Sequence, residues 1–86
     1  MTVDYSDKAL KQLKKLDKSV SCRIVDYMDE VSELSNPRVR GKALVGNLLG
    51  MWRYRVGAFR VLCRIRDEQL IIVVVDIGHR REVYDN

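Results

Sequence analysis

The chain has 86 residues, 47% of them hydrophobic and 33% charged, with a formal net charge of +4. That length supports one domain spanning 1–86 with a single thin core and leaves no room for a separate cofactor domain, and the apolar share is that of a folded protein. The polar opening "MTVDYSDKALK" reads as no signal peptide and the longest apolar run, Leu70 to Val75, is too short to cross a bilayer, so a cytoplasmic protein with no membrane partner is expected.

In chain order, "TVDY" alternates and predicts a short first strand. Ser6 is a suitable N-cap for a helix over about 7–16, with Leu10, Leu13 and Leu16 on one side. A second helix is expected over about 18–34, where Val20, Ile24, Tyr27, Met28, Val31 and Leu34 recur at helical spacing. "SNP" ends it, because the residue before Pro37 is pushed out of the α region. Two helices this close in sequence form an antiparallel hairpin. From Arg38 to Gly50 three glycines break the pattern, and the segment reads as a basic loop, "KAL", and a turn.

The remainder predicts strands. "MWRYRV" and "FRVLCRIR" flank Gly57-Ala58, a two-residue hairpin loop in which glycine supplies positive φ. After the turn "DEQ", "LIIVVVDI" is apolar at every position to Val75, which predicts a central strand covered on both faces. The order β-α-α-β-β-β gives an α+β domain, a two-helix hairpin on a mostly antiparallel four-stranded sheet.

The predicted hairpin sorts its side chains. A two-residue loop pairs Val56 with Phe59, Arg55 with Arg60, Tyr54 with Val61 and Arg53 with Leu62. Because side chains alternate across a strand, one face carries Trp52, Tyr54, Val56, Phe59, Val61, Cys63 and Ile65 and must meet the helices. The other carries Met51, Arg53, Arg55, Arg60, Leu62, Arg64 and Arg66. Arg55 opposite Arg60 is a destabilising like-charge pair, so an anion, from this chain or a bound polyanion, is expected to relieve it. Arginine favours forked contact with phosphate or carboxylate.

"GHRREVY", residues 78–84, follows the last strand and holds the chain's one histidine. Its side chains are expected to reach the edge of the Arg53/Arg55/Arg60 face. Guanidiniums, an imidazole and a phenol together contain the parts for splitting an RNA phosphodiester: the cations neutralise developing charge and His79 or Tyr84 moves a proton. RNA supplies its own ribose hydroxyl as nucleophile, so no metal or other cofactor is called for. One histidine and the scattered Cys22 and Cys63 make no zinc ligand set, and both thiols are expected free and packed in the core.

These residues resemble the RelE family of bacterial toxin–antitoxin toxins, within the RelE/ParE superfamily. The resemblance rests on "DKALKQLKKLDKSV", the "NPR" break, "WRYRVGAFRV", the apolar strand and "GHRREVY", and it covers nearly the whole chain. It implies a ribosome-dependent mRNA endonuclease, or mRNA interferase, that cuts in the ribosomal A site through 2′-hydroxyl attack. By position it implies Arg53, Arg55, Arg60 and Arg80 as phosphate contacts and Tyr84 as the group stacking on an mRNA base. Arg53 and Arg55 stand where the best-known relative has lysines. Since arginine stays protonated, His79 gains weight as a general base. Lys8, Lys11, Lys14, Lys15 and Lys18, with Arg81, read either as a solvated surface or as contacts to ribosomal RNA. The implied partners are the ribosome, mRNA and a small acidic antitoxin of the RelB or StbD kind, with operator DNA reached only through the antitoxin. A second reading is a ParE-like gyrase inhibitor without RNase activity; a third is a basic RNA-binding module without catalysis.

Overall fold

A computed structural model describes residues 1–79. Strand β1 (Thr2–Tyr5) leads into α1 (Asp7–Lys15) and α2 (Lys18–Glu33). Strands β2 (Lys42–Ala43), β3 (Trp52–Val56), β4 (Phe59–Arg66) and β5 (Ile71–His79) follow. They form one five-stranded sheet in the order β1-β5-β4-β3-β2. The β1–β5 pair is parallel and the other three are antiparallel.

The helices begin and end where local chemistry requires. The Ser6 Oγ accepts a hydrogen bond from the Ala9 N–H (3.1 Å), taking up one of the donors that the first helical turn leaves open. Asp7 in the first turn and Lys14 and Lys15 in the last suit the helix dipole. Helix α2 buries Ile24, Met28 and Val31, spaced at i, i+4 and i+7. Leu34 then turns extended, and Asn36 caps a short 3₁₀ turn over Pro37–Val39 by accepting from the Arg38 N–H.

The buried stripe of α1 differs from the expected one. Ala9 is fully buried, with Leu13 and Leu16 packed beside it, whereas Leu10 is 43% exposed. Ala9, Leu13 and Leu16 follow the i, i+4, i+7 spacing. Position 10 is rotated about 100° from position 9 and turns toward solvent. A methyl group at position 9 also lets the helix sit close to the sheet.

The sheet has one more strand than the four expected. Lys42–Ala43 pairs antiparallel with Trp52–Arg53. Gly41, at φ +83°, makes this possible: a Cβ there would lie 2.5 Å from both the Trp52 Nε1 and the Arg53 carbonyl oxygen. The indole N–H donates to the Arg40 carbonyl (2.8 Å) and closes the loop onto β3.

β5 starts one residue later than the apolar run does. Leu70 adopts φ 57° as the left-handed cap of the turn over Asp67–Gln69 and is exposed. The strand is interior but second from the edge, and β4 takes the middle. Coverage of its two faces is unequal. Ile72, Val74 and Ile77 are buried in the main core with Ile24, Met28, Val31, Tyr54 and Val61, while Ile71, Val73 and Val75 are only half-buried. Val75 and Leu48 pack against a second small cluster of Leu44, Met51 and Leu62.

Both thiols are free, as expected, but only Cys63 is in the core; Cys22 is exposed. Cys22 stands two positions before buried Ile24, which puts it about 200° around the helix from the packed stripe. Burial also pushes the Cys63 thiol well above its ordinary value. A thiol reagent should therefore titrate one cysteine in the native protein and a second only in denaturant, with peptide mapping placing the first label on Cys22. Native labelling of Cys63 at a comparable rate would contradict this packing.

Candidate phosphate-binding face

The hairpin forms in the expected register: Val56 with Phe59, Arg55 with Arg60, Tyr54 with Val61, Arg53 with Leu62 and Trp52 with Cys63. Gly57 carries φ 59° and Ala58 no positive φ. A turn with only its first central residue left-handed matches strand twist and holds this register. Tyr54, Val56, Val61 and Cys63 are buried beneath the helices, with Trp52, Phe59 and Ile65 packed against them. The Tyr54 hydroxyl donates to the Pro37 carbonyl (2.7 Å), and its ring meets Tyr27 edge-on at 6.0 Å. Burial raises the Tyr54 phenol above its ordinary value, which keeps it a neutral donor.

The opposite face is basic. Arg55 and Arg60 are direct cross-strand neighbours, and Arg53 follows two positions along β3 on the same side. Arg55, Arg64 and Arg66 are exposed, whereas Arg53 and Arg60 are half-buried with shielded Nε atoms. Strand β2 adds Lys42 directly opposite Arg53, so this face holds two opposed pairs of cations. Lys42 escaped the sequence reading because flanking glycines disguised a two-residue strand. Leu62 and Met51, placed on this face by alternation, are not surface residues; they form the small second cluster against the sheet.

Other basic groups are engaged elsewhere. Arg38 forks onto Asp67 (2.8 and 2.9 Å) and holds that carboxyl below its usual range. Arg40 bonds Glu30 at 3.2 Å and lies over the Tyr27 ring. Lys8, Lys11, Lys14, Lys15 and Lys18 are all exposed, and Lys8 lies 3.3 Å from Asp76.

His79 lies apart from the arginines. It pairs with Phe59, and the two rings meet edge-on at 5.8 Å, so the imidazole shares the helix-side face. Gly78 is the residue opposite Arg60. The expected meeting of His79 with the Arg53/Arg55/Arg60 face is thus not formed. The cause is a bulge in β5. Cys63 pairs with Val74 but Leu62 with Asp76, which leaves Val75 as an extra residue and reverses the alternation beyond it. The buried residues follow that bulge, Ile72 and Val74 before it and Ile77 after it. Arg80, Arg81 and Tyr84 lie outside the described residues. Among the described residues no group of three or more His, Cys, Asp or Glu side chains could hold a metal ion, and no helix is long and apolar enough to cross a membrane.

A two-helix layer on one sheet face and an open arginine face on the other define a small α+β domain. Comparison with known proteins gives the class a name. The family described as "ParE toxin of type II toxin-antitoxin system" matches residues 3–84. Toxin RelG of Mycobacterium tuberculosis is 32% identical over 84 residues, covering 96% of this chain and 94% of that protein. A putative RelE-like toxin protein of Escherichia coli is 31% identical, covering 96% and 88%. The toxin-antitoxin complex RelBE2 of M. tuberculosis contains a chain that superposes with a TM-score of 0.83 at 31% identity, covering 92% of this chain and 96% of that one. The chain belongs to the RelE/ParE superfamily of type II toxin–antitoxin toxins.

Proposed function

We propose that the protein is a metal-independent endoribonuclease that cuts mRNA on the ribosome. The observation that carries this reading is the pairing of Arg55 with Arg60, beside Arg53, on one open sheet face. Such a face gains stability when a phosphodiester sits on it. In the reaction the ribose 2′-oxygen bonds to the adjacent phosphorus and the P–O5′ bond breaks. A cyclic phosphate and a 5′-hydroxyl result, with one proton leaving the 2′-oxygen and one delivered to the 5′-oxygen. The guanidiniums of Arg53, Arg55 and Arg60 neutralise the non-bridging oxygens as charge builds. The resemblance adds Arg80 to this set and gives Tyr84 the mRNA base. Packed on Phe59, His79 belongs to the end of the strand, so Tyr84 is the better candidate for proton transfer. Lys8, Lys11, Lys14, Lys15 and Lys18, with Arg81, are assigned to ribosomal RNA through salt-sensitive phosphate contacts.

The relatives' complexes with RelB support a cognate antitoxin as partner; we assign its acidic part to the arginine face, with operator DNA reached only through the antitoxin. The alternative is a ParE-like gyrase inhibitor without RNase activity, and the arginine set of this face counts against it. Primer extension on ribosome-bound mRNA separates the two. Wild type should cut the A-site codon and leave free RNA whole, and Arg80→Ala should fold normally and lose at least about 100-fold in cleavage. DNA damage on induction with intact mRNA would establish the gyrase reading instead.

A further inference from the structure

The bulge in β5 has its own support. β1 ends at Tyr5, whose partner is Val74, so beyond that point no strand among the described residues lies beside the outer edge of β5. Backbone groups there take partners from Ser6 and α1 instead. The Ser6 N–H donates to the Val74 carbonyl at 2.9 Å, and the Ser6 Oγ donates to the Val75 carbonyl at 3.2 Å. Further along α1, Gln12 returns to the same edge. Its Oε1 accepts from the Ile77 N–H (2.7 Å) and its Nε2 donates to the Asp76 carboxylate (2.7 Å). Asp76 in turn lies 3.3 Å from the Lys8 ammonium.

We propose that Gln12 is a positioning residue: with Asp76 it latches the bulge and so sets the phase in which β5 leaves the sheet. This rests on the ribonuclease reading for its consequence but not for its geometry. Before the bulge, position 74 pairs with 63; after it, 77 pairs with 61, 78 with 60 and 79 with 59. Without the extra residue the strand would slip by one and every later side chain would change face. Ile77 would then sit on the arginine face and Asp76 beneath the helices. Burial of Ile77 favours the observed phase, and Gln12 fixes it by occupying an amide that β1 is too short to reach. The last residues of β5 lead directly into Arg80 and Tyr84, so an error of one residue here alters the presentation of the segment that the reaction uses.

The two hydrogen bonds run in opposite senses, which gives a specific test. In Gln12→Glu the new carboxylate still accepts from Ile77 but repels Asp76. In Gln12→Glu/Asp76→Asn the second bond is restored with its polarity reversed. The introduced carboxylate then falls four residues after Lys8, where it replaces the lost one. The readouts are cleavage of ribosome-bound mRNA and the NMR resonances of the His79 imidazole, which report its contact with the Phe59 ring. Gln12→Ala and Gln12→Glu should each lose at least about tenfold in cleavage, on the scale set by misplacing a reacting group by about 1 Å, and shift the His79 resonances. The double variant should recover both. The latch is overturned if Gln12→Ala keeps wild-type cleavage and His79 resonances, or if the double variant melts like wild type yet recovers neither. Should wild type itself leave ribosome-bound mRNA intact, the ribonuclease reading falls, and the His79 resonances alone decide the latch.

Discussion

Arg55→Gln is expected to make the protein more stable and much less active. Opposed like charges on neighbouring strands are destabilising, and removing one member should return about 0.2–1 kcal/mol, nearer the lower end because Arg55 is exposed. In a domain of this size that is a rise of roughly 1–8 °C in Tm, shrinking as salt screens the pair. Cleavage of ribosome-bound mRNA should fall by about 100-fold, the usual scale for deleting one preorganised group that stabilises developing charge. Arg66→Gln is the control. It lies on the same face but opposite Ile71, so it relieves no cross-strand repulsion and should show no comparable gain. The interpretation fails if Arg55→Gln and Arg66→Gln melt alike, or if Arg55→Gln cuts at the wild-type rate. A stability gain joined to a loss of activity distinguishes a working anion site from a solvated basic surface, for which both changes would be small.

The second large effect concerns Tyr54, which holds the hairpin to the helical layer. Its side chain is fully buried, its ring packs on Tyr27, and its hydroxyl supplies the Pro37 carbonyl with a donor at the exit of α2. Tyr54→Ala should cost about 3–5 kcal/mol, the range for deleting a large buried aromatic. A domain of this length has a total stability on the order of 5–10 kcal/mol, so the variant should be substantially unfolded under mild denaturant. Tyr54→Phe isolates the hydroxyl. It keeps the ring but strands a buried carbonyl, at about 1–3 kcal/mol. Urea melts of both variants, compared by midpoint at constant slope, separate these contributions. A near-neutral Tyr54→Phe would mean that the Pro37 carbonyl finds water instead.

The hairpin was fully legible because its determinants are local. Gly57 fixes a two-residue loop, the loop fixes the register, and alternation then fixes which side chains share a face. The like-charge pair followed from those steps alone. The helices were legible for the same reason, through the Ser6 cap, the Ile24/Met28/Val31 spacing and the stop before Pro37. Leu10 shows where periodicity stops being sufficient. The expected stripe led by Leu10 and the buried one led by Ala9 share Leu13 and Leu16, and only the packing of α1 on the sheet selected Ala9 as the first member.

What lay beyond the sequence was everything that depends on how separate elements meet. β2 is too short to declare itself; its pairing with β3 exists because Gly41 admits the Trp52 ring and the Arg53 carbonyl at close range. Without that contact Lys42 could not be placed opposite Arg53. The location of His79 turned on a single extra residue, Val75. A strand's side chains repeat every two residues, so one insertion moves an imidazole from the arginine face to the helix side. The sequence by itself determined the order of the helices and of the four longer strands, the core-facing half of the hairpin and the cationic character of its other face. The tertiary structure decided the phase of β5, because that phase is held by Ser6 and Gln12, which lie more than sixty residues away along the chain.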